Sequence, residues 1–274
     1  MKPPVTVLMS VYNGMPHLKE AVESILKQTF TDFDFLIFDD ASIDGSSLLL
    51  AEYAKKDCRI KIVTNKQNYG LGYNLARGLQ VAQTTWIARM DADDIAVPNR
   101  LEMQLKYIND NPEVDILGGY VTDINENGEI VSERRFPISN QEIHKLVWTC
   151  PIFHPTVMLR REAILKVGSY SPKLRKRQDY ELWFRCVAAN LKFANLTTPL
   201  IYYRFSDNTF KRNNWRVQLT HLSIGWRGCW LVGASPFAYL GVTKPLVISL
   251  LPPSLRYVAY RWLKKFDPRE RLSN

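Results

Sequence analysis

The sequence predicts an α/β fold, a mostly parallel sheet with helices on both faces, followed by a C-terminal helical extension that is apolar and basic. Three observations carry this. Short β-rich runs alternate with helix-period segments through the first half of the 274-residue chain. Two aspartate clusters each close one of those runs, and ligands bind at that end of the strands in open parallel sheets. The charge balance changes abruptly near residue 210.

Residues 5–11 form the first β-rich run. Pro16 then opens a helix with Leu18, Ala21, Val22, Ile25 and Leu26 on one face. Residues 33–38 are a second apolar run, ending in Asp39 and Asp40, and residues 60–63 a third. Residues 70–82 read as a helix with Leu71, Leu75, Leu79 and Ala82 on one side. Residues 86–90 make a fourth strand, closed by Asp91, Asp93 and Asp94. A helix over 98–108 carries Leu101, Leu105 and Ile108, and a strand over 114–121 follows. This βαβα order builds a mostly parallel sheet. The pattern is mixed from 124 to 203, where HPTVMLRR reads as a strand entering a helix and residues 178–190 as a helix. Asp179 falls in the first turn of that helix, where the dipole favours a carboxylate and where a capping role is the simplest reading.

Residues 1–210 contain 25 Lys+Arg and 25 Asp+Glu, whereas residues 211–274 contain 11 basic and 2 acidic residues. The whole net charge of +9 therefore sits in the tail, which points to an anionic partner. Residues 1–210 are expected to be one domain and 211–274 a basic, aromatic-rich appendage. Within it, the least-charged stretch, 228–243, is shorter than a bilayer-spanning helix. LRYVAYRWLKKF, residues 255–266, has the composition of a helix lying at a membrane interface. Packing on the domain, or on a second copy as a homo-oligomer, is the alternative. The start, MKPPVTVLMSVYNG, lacks the apolar region of a signal peptide, so a cytoplasmic chain, peripheral at the inner face of the cytoplasmic membrane, is expected. The four cysteines form no CxxC pair and read as buried reduced thiols.

The stretch RMDADDIAVPNRLE raises the chemical question. Two carboxylates at about 4 Å and an effective dielectric near 20 repel by about 4 kcal/mol. Solvent, protonation or a bound cation must relieve that. Each aspartate cluster alone could be a polar strand end or a cap; two at the carboxyl ends of strands point to one crevice.

An ordered series of segments resembles the family 2 glycosyltransferases over about residues 5–205: VTVLMSVYNG, ESILKQTFTDFDFLIFDDASIDGS, NYGLGYNLARGL, WIARMDADDIAVPNRLE, HPTVMLRR and QDYELWFR. The resemblance implies the GT-A fold, a Rossmann-like sheet. It also implies inverting transfer of a sugar from a nucleotide-sugar donor, with UDP favoured, to a hydroxyl of a cell-surface glycan or lipid-linked acceptor. Ser10 and Tyr12 would line the base and ribose pocket, and Asp40 would bond the base edge. Asp91 would reach the ribose or the metal, and Asp93 would bind a divalent cation, Mg²⁺ or Mn²⁺. Asp179 matches the catalytic base, and Arg204 an arginine near the donor phosphates. The chain departs from the family pattern at three positions. Gln178 stands where Glu is usual, Ser206 where His is common, and Ala76 where Asn is frequent.

Other classes leave different marks. A sugar-phosphate nucleotidyltransferase needs a Gly-rich, Arg-containing loop after the first strand, and SVYNGMPHL is not one. A dehydrogenase would carry GxGxxG there. A nucleic-acid binder would use only the basic tail, leaving the carboxylates unexplained, and no nucleic-acid partner is expected. A degenerate transferase that binds donor without turnover stays compatible with Gln178 and Ser206.

Overall fold

A computed structural model describes residues 3–204 and 215–251. Ser206 and residues 255–266 lie outside the described residues. The first half follows the expected alternation: β1 (Val5–Val11), α1 (Leu18–Leu26), β2 (Phe33–Asp39), α2 (Ser46–Lys56), β3 (Ile60–Thr64), α3 (Leu71–Val81) and β4 (Trp86–Met90). Next come β5 (Ile95–Ala96), α4 (Arg100–Asp110), β6 (Ile116–Ile124), β7 (Ile130–Arg134) and α5 (Asn140–Lys145). β8 (Met158–Arg160), α6 (Arg161–Lys166), α7 (Gln178–Ala188) and β9 (Phe193–Arg204) complete the sheet region. Two further helices, α8 (Trp215–Leu231) and α9 (Pro236–Leu250), form the extension.

Among the described residues the strands make one sheet in the order β3-β2-β1-β4-β8-β6-β9-β5, with β7 on β6. The first four strands are parallel. Beyond β4 the sheet is mixed: β8 runs antiparallel to β4 and β6, while β9 is parallel to β6. Both faces are covered, which is why β1 and β2 are apolar on both sides through Val7–Met9 and Phe35–Phe38 rather than alternating. On one face Val7, Met9 and Ile37 pack with Leu18, Val22 and Ile25 of α1 and Leu101 of α4. On the other, Leu8, Leu36 and Phe38 pack with Leu75 and Leu79 of α3 and Trp183 and Phe184 of α7.

The register sets the site. Val11 is level with Asp39, and Met9 with Met90, so β1 and β2 end level and β4 ends two residues short of them on the same side. Their following residues, Tyr12, Asp40 and Asp91, therefore share one edge.

The extension lies against the domain. A Cβ at Gly228 of α8 would come within 2.3 Å of the Phe184 ring, so glycine permits α8 to approach α7. His221 stacks on Tyr180 at 4.6 Å between ring centroids. Trp148 meets Gly241 and Phe237 of α9. No described helix is long and apolar enough to cross a membrane. The cysteine expectation needs correction: none of the four is in a disulfide, but only Cys186 and Cys229 are buried, whereas Cys58 is exposed and Cys150 half-buried. Cys58 follows α2 in a surface turn, where no apolar layer covers it.

Candidate active site

The first cluster is tied into the chain. Asp40 is buried, and its carboxylate accepts from the Asn65 side-chain amide at 2.7 Å and from the backbone N–H groups of Tyr69 and Gly70 at 3.0 and 2.8 Å. The same Asn65 amide donates to Asn74, whose own amide donates to Ser10 Oγ at 2.9 Å. Ser10 and Asp40, singled out from the sequence, are thus the two ends of one polar chain through Asn65 and Asn74. Asp39 accepts from Ser42 N and from the Ser47 hydroxyl. Tyr12 stands at the rim, half exposed.

The second cluster is different. Asp91, Asp93 and Asp94 each offer one carboxylate oxygen, and these oxygens lie within 4.8 Å of one another. Asp93 is exposed, Asp91 half-buried and Asp94 buried. Asp94 Oδ1 accepts from Arg204 N at 3.2 Å, while its Oδ2 is buried with no donor. Burial, then repulsion from Asp91 and Asp93, pushes the Asp94 carboxyl well above the usual range. A buried oxygen without a donor beside two further carboxylates is a donor set that fits a hard divalent cation.

Two arginines brace this loop. Arg204 bonds Glu20 at 2.6 Å and donates to the Asp93 and Glu126 carbonyls, so it holds β9 against the acidic turn. Arg89, which the sequence reading left without a role, is buried in β4 and pairs with Asp91. Its Nε and Nη1 have no partner. The sequence signal was there, a charge inside an otherwise apolar strand, but nothing in it named Asp91 as the mate.

Asp179 is in the first turn of α7 and is not its cap: the N-cap is Arg177, in a left-handed conformation with φ 63°. Its carboxylate accepts from the Cys150 thiol at 3.8 Å. Gln178 is buried with Oε1 unpartnered. The start of α7 reaches the site edge through α3. A Cβ at Gly72 would meet the Leu174 and Ser171 carbonyls at 2.6 and 2.8 Å and Gln178 Cβ at 3.6 Å, and Arg175 donates to the Asn68 carbonyl. The loop that clamps Asp40 therefore touches the segment that carries Asp179. His154 and Tyr170, bonded at 2.8 Å, lie buried beneath. Tyr170 is within electrostatic reach of both Arg89 and Asp179.

Asp40 and the Asp91, Asp93 and Asp94 group stand at the carboxyl edge of the parallel strands of a GT-A-type fold, the edge where open α/β sheets bind ligands. The comparisons agree. The family model described as Glycosyl transferase family 2 matches residues 6–168, and the chain belongs to that family. It is 38% identical over 217 residues to the uncharacterized glycosyltransferase MJ1057 of Methanocaldococcus jannaschii, spanning 77% of this chain and 74% of the relative. It is 30% identical over 273 residues to the Escherichia coli UDP-Gal:alpha-D-GlcNAc-diphosphoundecaprenol beta-1,3-galactosyltransferase, spanning 96% and 98% of the two chains. Among solved structures, the mannosyltransferase PcManGT of Pyrobaculum calidifontis, in complex with GDP-Man and Mn²⁺, superposes with a TM-score of 0.65. That match has 15% identity and covers 99% of this chain and 79% of that one.

Proposed function

We propose that the protein is an inverting, metal-dependent glycosyltransferase of the cytoplasmic side. It moves a sugar from a nucleotide-diphosphate sugar, with UDP favoured, to a hydroxyl of a cell-surface glycan or a lipid-linked acceptor. The observation that carries the reading is the crowding of Asp91, Asp93 and Asp94 beyond the carboxyl end of β4, with one buried Asp94 oxygen that has no donor. The relative that uses a UDP-sugar and a diphosphoundecaprenol acceptor supports the donor and acceptor classes. The Mn²⁺ and GDP-Man held by PcManGT support the metal and leave the base open.

In this reading Asp93 and Asp91 hold Mg²⁺ or Mn²⁺, with Asp94 supplying the buried oxygen behind them. The cation, when bound, neutralises the charge that grows on the departing diphosphate. Ser10, Tyr12 and Asp40 shape the base and ribose pocket, with Asp40 pre-oriented by the 65–70 loop. Arg204 holds the acidic turn in place. Asp179 takes the proton of the acceptor hydroxyl as it attacks from the face opposite the diphosphate.

Asp179→Asn tests this. Asn preserves size and can still accept a hydrogen bond but cannot take the proton. The variant is expected to fold, to bind donor nucleotide with Mn²⁺ as the parent does, and to turn over about 10²- to 10⁴-fold more slowly. Turnover within a few-fold of the parent would place the base elsewhere.

A further inference from the structure

We propose that the exposed face of the α8–α9 pair is a docking surface for an anionic lipid bilayer. α8 carries large apolar side chains on a face that meets water, where an ordinary surface helix is polar. Its inward face buries Gln218, Gly225, Gly228 and Cys229. Its outward face carries Trp215, Leu219, Trp226 and Trp230, which recur at helical spacing as one stripe. Trp230 is 83% exposed. α9 adds Phe237, Leu240, Val247 and Leu250, all exposed. Isolated apolar side chains on a surface need no explanation, but a contiguous aromatic face does.

Charge selects the occupant. Residues 215–251 contain Arg216, Arg227 and Lys244 and no Asp or Glu, and Arg216 and Arg227 are both exposed. Tryptophan settles at the headgroup level of a bilayer, and basic side chains are drawn to anionic headgroups. Neither helix is long and apolar enough to cross, so the pair lies on the surface with its stripe sunk into it. A second copy of the chain fits worse. A two-fold contact through this face would bring like charges together with no carboxylate on either side to pair them.

The surface is close to the candidate base. The Trp148 ring packs on Gly241 and Phe237 of α9, and its carbonyl accepts from Tyr180 Oη at 2.9 Å. Two residues on, Cys150 contacts Asp179. A lipid-held acceptor would thus meet the protein at the Asp179 end. That consequence rests on the function proposed above; the docking itself does not.

Co-sedimentation of the full chain with vesicles tests the proposal. The parent is expected to pellet with phosphatidylcholine vesicles containing phosphatidylglycerol and to stay in solution with phosphatidylcholine alone. The Trp230→Glu/Leu240→Glu double variant is expected to lose vesicle affinity by about tenfold or more while keeping its metal-dependent nucleotide binding. Hydrogen exchange on the unaltered parent gives a second measurement that does not depend on how the variant folds. Adding the anionic vesicles should protect 215–250. Undiminished pelleting of a folded double variant overturns the proposal, as does protection confined to other segments. A parent dimer that the double variant splits assigns the face to a second copy instead, and salt-sensitive RNA binding lost in the same variant assigns it to nucleic acid. Loss of sugar transfer with vesicle binding intact counts against the proposed function alone.

Discussion

Asp39 and Asp40 close β2, and Asp91, Asp93 and Asp94 follow β4, with only β1 between them. In the sequence both are acidic ends of apolar strands. In the fold the first cluster is surrounded by donors: Ser42, Ser47, Asn65 and the Tyr69 and Gly70 amides all point at it. Charge-assisted bonds of this kind fix three loops around the crevice. In the second cluster the shortfall is at Asp94. Asp94 keeps a buried oxygen with no partner and is driven towards the neutral form by burial and by its two neighbours. Carboxylates that the chain satisfies hold shape; carboxylates that the chain leaves in conflict are available to a ligand. The distinction lies in the supply of donors, not in the acids.

The sharpest way to break the comparison is Asp93→Ala. This exposed carboxylate is expected to contribute little to folding. Its loss should abolish the gain in nucleoside-diphosphate affinity that Mn²⁺ gives over EDTA, an effect beyond the roughly 10- to 100-fold cost of removing groups that only support a metal ligand. Calorimetric titration of parent and variant, each with Mn²⁺ and with EDTA, decides it; a parent that binds equally well in EDTA would end the metal role.

Arg89→Met probes the support behind that cluster. It removes the Asp91 partner together with two buried nitrogens that bond nothing. Metal-dependent nucleotide affinity should fall about 10- to 100-fold, while the melting temperature holds or rises, because a buried unpaired group costs about 1–3 kcal/mol. Weaker folding with unchanged metal response would make Arg89 a packing residue only.

Asp39→Ala asks the converse question of the first cluster. It should cost about 1.5–3 kcal/mol of stability, since it strips the Ser42 and Ser47 donors of a charged acceptor. The response to Mn²⁺ should survive. Chemical denaturation followed by nucleotide titration separates the two outcomes; a stable variant that no longer responds to Mn²⁺ would reverse the assignment of roles.

Much of the first half was legible because β1, β2 and α1 announce themselves by period, and the carboxyl-edge rule then places Asp40 and Asp91 together. α2 escaped because only Ser46 and Leu50 of its residues are buried, too little for a stripe. β7 escaped because Ile130 and Val131 face water, and β9 because its pairing with β6 shifts register and breaks the alternation. α9 is apolar on most sides, so its sequence could not say which face meets the domain. In the site, the aspartates were legible by type and place. Their partners were not: Asn65 stands 25 residues from Asp40, and Asn74 stands 64 from Ser10. Side-chain pairs at that separation follow from the tertiary fold and from no local pattern.

The smallest expected effect concerns the buried His154–Tyr170 pair. Burial, and after it the Arg89 charge, holds the His154 imidazole well below its ordinary value of 6.5. In the fold it is neutral and bonded to the Tyr170 hydroxyl at 2.8 Å. The unfolded chain takes up a proton near the ordinary value of 6.5, so it binds more protons than the fold below that pH. Stability from this group is therefore complete above about 6.5 and is lost as pH falls, by at most about 1.4 kcal/mol per pH unit. Asp94 works in the opposite sense. Its raised value means that the fold keeps a proton which the unfolded chain gives up, so acid favours the fold at that residue. A cation on the cluster should cancel the Asp94 contribution and leave that of His154. Urea denaturation between about pH 7.5 and 5.5, with and without Mn²⁺, should then show a steeper acid loss when the metal is present. His154→Gln should flatten that slope in both conditions. If the variant keeps the parent's slope, the proton belongs to another group and His154 is only a packed ring against Trp183.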